Sequence, residues 1–171
     1  MTDGTFVSSV CDFTKTSSMV SNYLMMTKSR QDWGLARTFG SPLRTFTHEV
    51  VTMWYRAPEV ILGASYTPAI DLWSVACIMV ELLTDEVLFS GSSEISSLFR
   101  IFRVLGTPTE ETFPDLSQSE GNHSQFPQWK AATHIHRDLT DSANDLAQKM
   151  LLYDSSKRAT ASEALEHSYF A

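Results

Sequence analysis

Three groups of side chains in this sequence could carry chemistry. The first is Asp32-Trp33-Gly34, a carboxylate next to a glycine. Taken alone, Asp-x-Gly is a turn signal, the glycine supplying backbone freedom that other residues lack. The second is Thr47, a hydroxyl open to phosphorylation. A phosphate there would bring about −1.5 to −2 charges and would need arginines around it. The third is His136-Arg137-Asp138-Leu139, a titratable run that reads as a loop leading into a helix, with Asp141 as its N-cap. The two cysteines, Cys11 and Cys77, lie far apart and outside any metal-ligand spacing, which fits a reducing compartment. Asn122-His123-Ser124 matches a glycosylation acceptor, a pattern without weight unless the chain is secreted.

The elements that must position these groups are mostly helical. Pro68 to Leu83 is apolar nearly all round, with Leu72, Trp73, Val75, Ala76, Ile78, Met79 and Val80 along it. Such a helix belongs in a core, and Asp71 and Glu81 interrupt it. Ser93 to Leu105 repeats Ile95, Leu98, Phe99, Ile101 and Phe102 at helical spacing and stops at Gly106-Thr107-Pro108. Glu110 to Lys130 reads as a polar, loop-like insert anchored by Phe126, Pro127 and Trp129. A third helix is expected over Ser142 to Leu152. A last one follows Thr160-Ala161-Ser162-Glu163, a capping box. Residues 1–31 are rich in Ser and Thr and carry no helical or alternating period, which predicts loop or disorder.

Composition narrows the class. The chain has 171 residues, 43% apolar and 19% charged, room for one domain of ordinary size. A formal charge of −7 argues against a non-specific nucleic-acid binder. No apolar run approaches the ~20 residues of a membrane span. Residues 1–31 lack the basic start and apolar centre of a signal peptide.

Order and spacing then carry a family resemblance. The stretch DWGLARTFGSPLRTFTHEVVTMWYRAPE opens with Asp32-Trp33-Gly34 and closes with Ala57-Pro58-Glu59. It resembles the activation segment of eukaryotic protein kinases, which Asp-Phe-Gly and Ala-Pro-Glu bracket. With DLWSVACIMVELLT, LFRIFRVLGTP and KRATASEALEHSYF, the resemblance covers about residues 32–170 and looks like the cyclin-dependent serine/threonine kinases, close to their cell-cycle members. The fold it implies is mainly α: the C-terminal lobe of a kinase, truncated, without the N-terminal lobe or the catalytic loop. Residues 1–31 then form an unmatched segment, and residues 32–171 a partial kinase domain.

The resemblance also implies roles. Asp32 would hold the magnesium that bridges ATP phosphates, with Gly34 turning the backbone to aim it. Trp33 stands where Phe is usual. Thr47 would be the regulatory phosphorylated threonine and Arg37 one of its phosphate-pairing arginines. Val50, Val51 and Arg56 would form the platform for the proline after the target Ser or Thr, an apolar surface suited to a residue without an N–H. Thr52 would hydrogen-bond the catalytic Asp and Lys. Glu59 would pair with Arg158, each contributing similarly to stability, and Asp71 would hold the catalytic-loop backbone. ATP and Mg2+ are the implied cofactors, a cyclin and a Cks-type accessory protein the implied partners, and nucleus and cytoplasm the implied compartments. Ser92 and Ser96 replace acidic residues of the Cks-docking region. His136-Arg137-Asp138 follows Asp32 instead of preceding it, with Thr140 at the Lys position, so no catalytic role is expected of it.

Three explanations fit a kinase motif that begins so abruptly. One is an incomplete gene model of a full-length kinase. Another is a catalytically dead short product acting as a binding module. The third is a non-functional fragment. In the isolated chain the central helix, having lost a neighbour, is expected to expose part of its apolar surface.

Overall fold

The computed structural model describes residues 53–118 and 126–171, and every one of its regular elements there is helical. Five α-helices run in chain order: α1 (Pro58–Ile61), α2 (Ala69–Thr84), α3 (Glu94–Leu105), α4 (Asp141–Met150) and α5 (Ala161–Leu165). Single 3₁₀ turns cover Met53–Tyr55, Pro114–Gln118 and Ser168–Phe170. This is the mainly α architecture of a kinase C-terminal lobe.

Helix α2 lies at the centre. Its Leu72, Trp73, Ala76, Cys77, Met79 and Val80 are buried in one core with Leu98, Ile101 and Phe102 of α3 and Leu146, Ala147 and Met150 of α4. A fully buried Leu or Phe contributes about 1.5–3 kcal/mol by leaving water, so this cluster is the main driving force for the fold. The expected exposure of α2 is confined mainly to Ile78, 46% exposed. Trp73 stacks on Phe89 with ring centroids 5.8 Å apart. Cys77 is free and buried, and burial pushes its thiol far above the usual range, which leaves it un-ionised and unreactive.

Local signals fix most helix ends. Ser93 is the N-cap of α3 rather than its first residue, because its extended backbone lets its side chain accept from the Ser96 N–H. Ser96 returns the bond to the Ser93 N–H, so the position expected to be acidic in a Cks-docking surface serves a cap. Gly106 ends α3 at φ +85°, and a Cβ there would lie 2.9 Å from the Ala131 nitrogen. The Gly106 carbonyl accepts from the buried Tyr153 hydroxyl at 2.6 Å. Helix α5 has the expected capping box, Thr160 and Glu163 bonding each other's backbone N–H.

Three expectations need correction. Helix α2 spans Ala69–Thr84, one residue later at each end than expected, with Pro68 as its N-cap. Helix α4 begins at Asp141, and its N-cap is Thr140, whose hydroxyl accepts from the Ala143 N–H at 3.3 Å. It ends at Met150 rather than Leu152, the Lys149 carbonyl accepting instead from the Ala159 N–H. The insert is not wholly polar: Phe113 and Leu116 are buried, whereas Pro127 is exposed and contributes only its carbonyl, to the Thr107 hydroxyl. Phe126 and Trp129 do anchor it, their rings lying 6.1 and 5.6 Å from that of Phe99.

One residue carries a local cost. Asp85, the C-cap of α2, sits in the left-handed region at φ 55° and places a negative charge at the negative end of a helix. Asn tolerates the same backbone without the charge. Asp85→Asn is therefore expected to stabilise the protein by about 0.3–1 kcal/mol, read as a higher urea midpoint at unchanged slope. A midpoint that falls would show that Asp85 makes a compensating contact.

Candidate functional site

The described part of the bracketed segment is its end, Met53 to Glu59, and it is fastened at several points. Trp54 Nε1 donates to the Gly91 carbonyl at 2.8 Å. The Tyr55 hydroxyl donates to Glu81 Oε2 at 2.7 Å, and the Ser74 hydroxyl donates to the Tyr55 carbonyl at 2.8 Å. Arg56 pairs with Glu94 at 3.3 Å, so one member of the expected proline platform is oriented by the first turn of α3. Sequence reasoning singled out Arg56 and missed Trp54, Tyr55, Ser74, Glu81, Gly91 and Glu94, whose pairings are long-range and leave no local pattern. Gly91 has a steric reason to be glycine: a Cβ would sit 2.4 Å from the backbone nitrogen of Ser97, inside the contact limit.

Glu59 is the innermost fastening. Arg158 clasps it with two nitrogens, Nη1 to Oε1 at 2.8 Å and Nη2 to Oε2 at 3.2 Å, both side chains out of contact with solvent. A planar guanidinium suits this two-point geometry, which Lys could not reproduce. The remaining donors of Arg158 are used as well. Nη1 reaches the Ala69 carbonyl at 2.8 Å, and Nε and Nη2 reach the Leu152 carbonyl at 3.1 and 2.9 Å. Its Cζ lies 5.3 Å from the Trp73 ring centroid, a cation–π contact. One guanidinium thus joins α1, the start of α2, the end of α4 and the chain leading into α5.

Asp71 stands on the first turn of α2, without a hydrogen-bonding partner for its carboxylate among the described residues. It is exposed over much of its surface, yet the atoms that cover it raise its carboxyl above the usual carboxylate range. His136-Arg137-Asp138 forms a turn ahead of α4. The Asp138 N–H donates to His136 Nδ1 at 3.3 Å, and His136 Nε2 lies 3.3 Å from Glu86 Oε2. Arg137 is largely exposed, its Nε 3.5 Å from Asp138 Oδ2 and its Nη2 4.0 Å from Glu86 Oε1. The triple tethers the approach to α4 against the end of α2 and brings no catalytic constellation together.

Asp32, Gly34, Arg37, Thr47, Val50, Val51 and Thr52 lie outside the described residues, as do residues 1–31. Among the described residues no group of three or more His, Cys, Asp and Glu could hold a metal ion. Nor, among them, is any helix long and apolar enough to cross a membrane.

What the described residues define is a helical lobe onto which the end of a bracketed loop is stapled by a buried ion pair. A family model of the protein kinase domain matches residues 21–170. The chain belongs to the protein kinase domain family. The match takes in residues 21–31, which the motifs alone left outside the domain. Protein kinases of this family generally use ATP and Mg2+, and a kinase-like function follows for the domain.

Proposed function

We propose that this chain supplies the regulatory and substrate-reading half of a cyclin-dependent type of serine/threonine kinase, one that phosphorylates Ser or Thr followed by Pro. The observation that carries the reading is the clasp of Glu59 by Arg158, because it fixes the end of the segment that holds the other candidate residues. Just before it, Arg56 is held by Glu94 in a half-buried position, and Arg56, Val50 and Val51 are the residues that would read the substrate proline. Thr47 is the regulatory phosphoacceptor, and Arg37 pairs with its phosphate. Thr52 is the active-site hydrogen-bonding residue. Asp32 is the residue that would hold magnesium, which in kinases neutralises charge on the transferring phosphoryl group.

The reaction class needs more than these residues. Its base and its ATP-contacting Lys have no counterpart in this sequence, since the one His-Arg-Asp run lies at 136–138 and forms the tether described above. A cyclin and a Cks-type protein remain the proposed partners of the assembled kinase, in nucleus and cytoplasm. The capping role of Ser96 argues that any Cks contact there differs from the acidic one.

A chimera tests the proposal. Residues 32–171 are joined to the N-terminal lobe and catalytic loop of a well-behaved cyclin-dependent kinase, and the product is assayed with cyclin on paired Thr-Pro and Thr-Ala peptides. The chimera is expected to prefer the Thr-Pro peptide, and Arg56→Ala to erode that preference. An active chimera that treats both peptides alike would overturn the reading.

A further inference from the structure

Two Ser/Thr-Pro dipeptides fall among the described residues, Thr67-Pro68 and Thr107-Pro108, and the fold treats them differently. The Thr107 hydroxyl is committed twice: it donates to the Pro127 carbonyl at 2.7 Å and accepts from the Trp129 N–H at 2.9 Å. The Thr107 N–H is bound as well, to the Trp129 carbonyl at 3.0 Å. Freeing this threonine means detaching the insert from the end of α3. Thr67 is exposed, and its hydroxyl makes only a long contact, 3.4 Å from the Ala69 N–H.

The backbone around Thr67 is also suited to a kinase active site. Residues 64–67 form an irregular connection between α1 and α2, anchored by the Ala64 N–H on the Glu59 carbonyl at 2.9 Å. A residue before proline is biased to the extended conformations in which kinases take their substrates. Pro68 has no N–H of its own to lose, and straightening the dipeptide releases two first-turn bonds of α2, from the Ile70 N–H to the Thr67 carbonyl at 3.2 Å and from the Asp71 N–H to the Pro68 carbonyl at 3.1 Å, the kind of helix end that frays. We infer that Thr67 is a phosphoacceptor for a proline-directed serine/threonine kinase and that Thr107 is protected from the same enzyme. This does not depend on the chain's own proposed activity, because another kinase is the donor enzyme.

The transfer is balanced with ATP as co-substrate. The Thr67 Oγ1 forms a bond to the γ-phosphorus, the bond from that phosphorus to the bridging oxygen of ADP breaks, and the hydroxyl proton passes to the donor kinase's base. The product carries its charge at the amino end of α2, where the Ala69 N–H has no firmer acceptor than the 3.4 Å contact.

The test is incubation of the folded chain with a purified, active proline-directed kinase and magnesium-ATP, with sites mapped by tandem mass spectrometry. A peptide spanning residues 63–71 runs in parallel. The expected result is phosphate on Thr67 and none on Thr107, with the Thr67 signal lost in Thr67→Ala. Modification of the peptide but not of the folded chain would overturn the inference by showing that α2 masks the site. No modification of either would overturn it by showing that the dipeptide is no substrate. Equal modification of Thr67 and Thr107 would overturn the claim that the fold selects between them.

Discussion

Glu59→Ala is expected to destabilise the protein by about 3–5 kcal/mol, the usual cost of leaving a buried charge without its partner. Here the orphan is Arg158, which keeps the carbonyls of Ala69 and Leu152 as acceptors after the carboxylate is gone. Arg158→Ala is expected to cost more. It abandons a buried carboxylate, releases both carbonyls from their donor and removes the cation–π contact with Trp73. Equality of the two partners, the expectation from sequence, therefore gives way to an ordered pair. The double variant is expected to cost less than the sum, with a coupling of about 0.5–3 kcal/mol, since the two side chains share one interaction. Urea unfolding of the four proteins in the cycle measures all three quantities. Strict additivity would mean that the clasp contributes nothing as a pair.

The second large effect concerns catalysis. The 171-residue chain by itself is expected to transfer no phosphate from magnesium-ATP to a Thr-Pro peptide. Loss of a general base typically costs ~10²–10⁴ in rate. Loss of a preorganised charge-stabilising donor costs ~10²–10³. These factors do not simply multiply, but the sequence also offers no Gly-rich loop or nucleotide-contacting Lys to hold the phosphates in place. His136-Arg137-Asp138 cannot stand in for the catalytic loop. Its histidine lies against Glu86, and its aspartate is turned back on that histidine's own loop. Transfer that disappears in Asp32→Ala would contradict this account, whereas transfer that survives the substitution would identify a contaminating kinase.

Much of this lobe is legible in the sequence because its signals are local. The long apolar run of α2, the Phe/Leu/Ile spacing of α3 and the Thr160–Glu163 box each lie within one helix and follow its period. The Glu59–Arg158 pair spans the lobe without any local signal, and only the resemblance to protein kinases matched the two. What the sequence hid was governed by tertiary context. Thr140 and Asp141 can both cap a helix, and the extended backbone at Thr140 decides between them. Phe113 and Leu116 sit in a polar run without a period, so nothing local marks them as core. The bonds from Trp54 to Gly91 and from Tyr55 to Glu81 join residues 37 and 26 positions apart, a relation that no single window of sequence contains.

The central claim is that the end of the bracketed segment belongs to the same cooperative unit as the helices beneath it. Native-state hydrogen exchange tests it directly. The Leu62 N–H bonds to the Pro58 carbonyl and the Ala64 N–H to the Glu59 carbonyl, both at 2.9 Å and both immediately beside the clasp. Their amides are expected to open with the same free energy as those of α2 and α4, and to lose protection with them in Glu59→Ala. Rapid exchange at Leu62 and Ala64 while α2 and α4 stay protected would contradict the account, because the segment end would then be a loose appendage rather than a stapled part of the lobe.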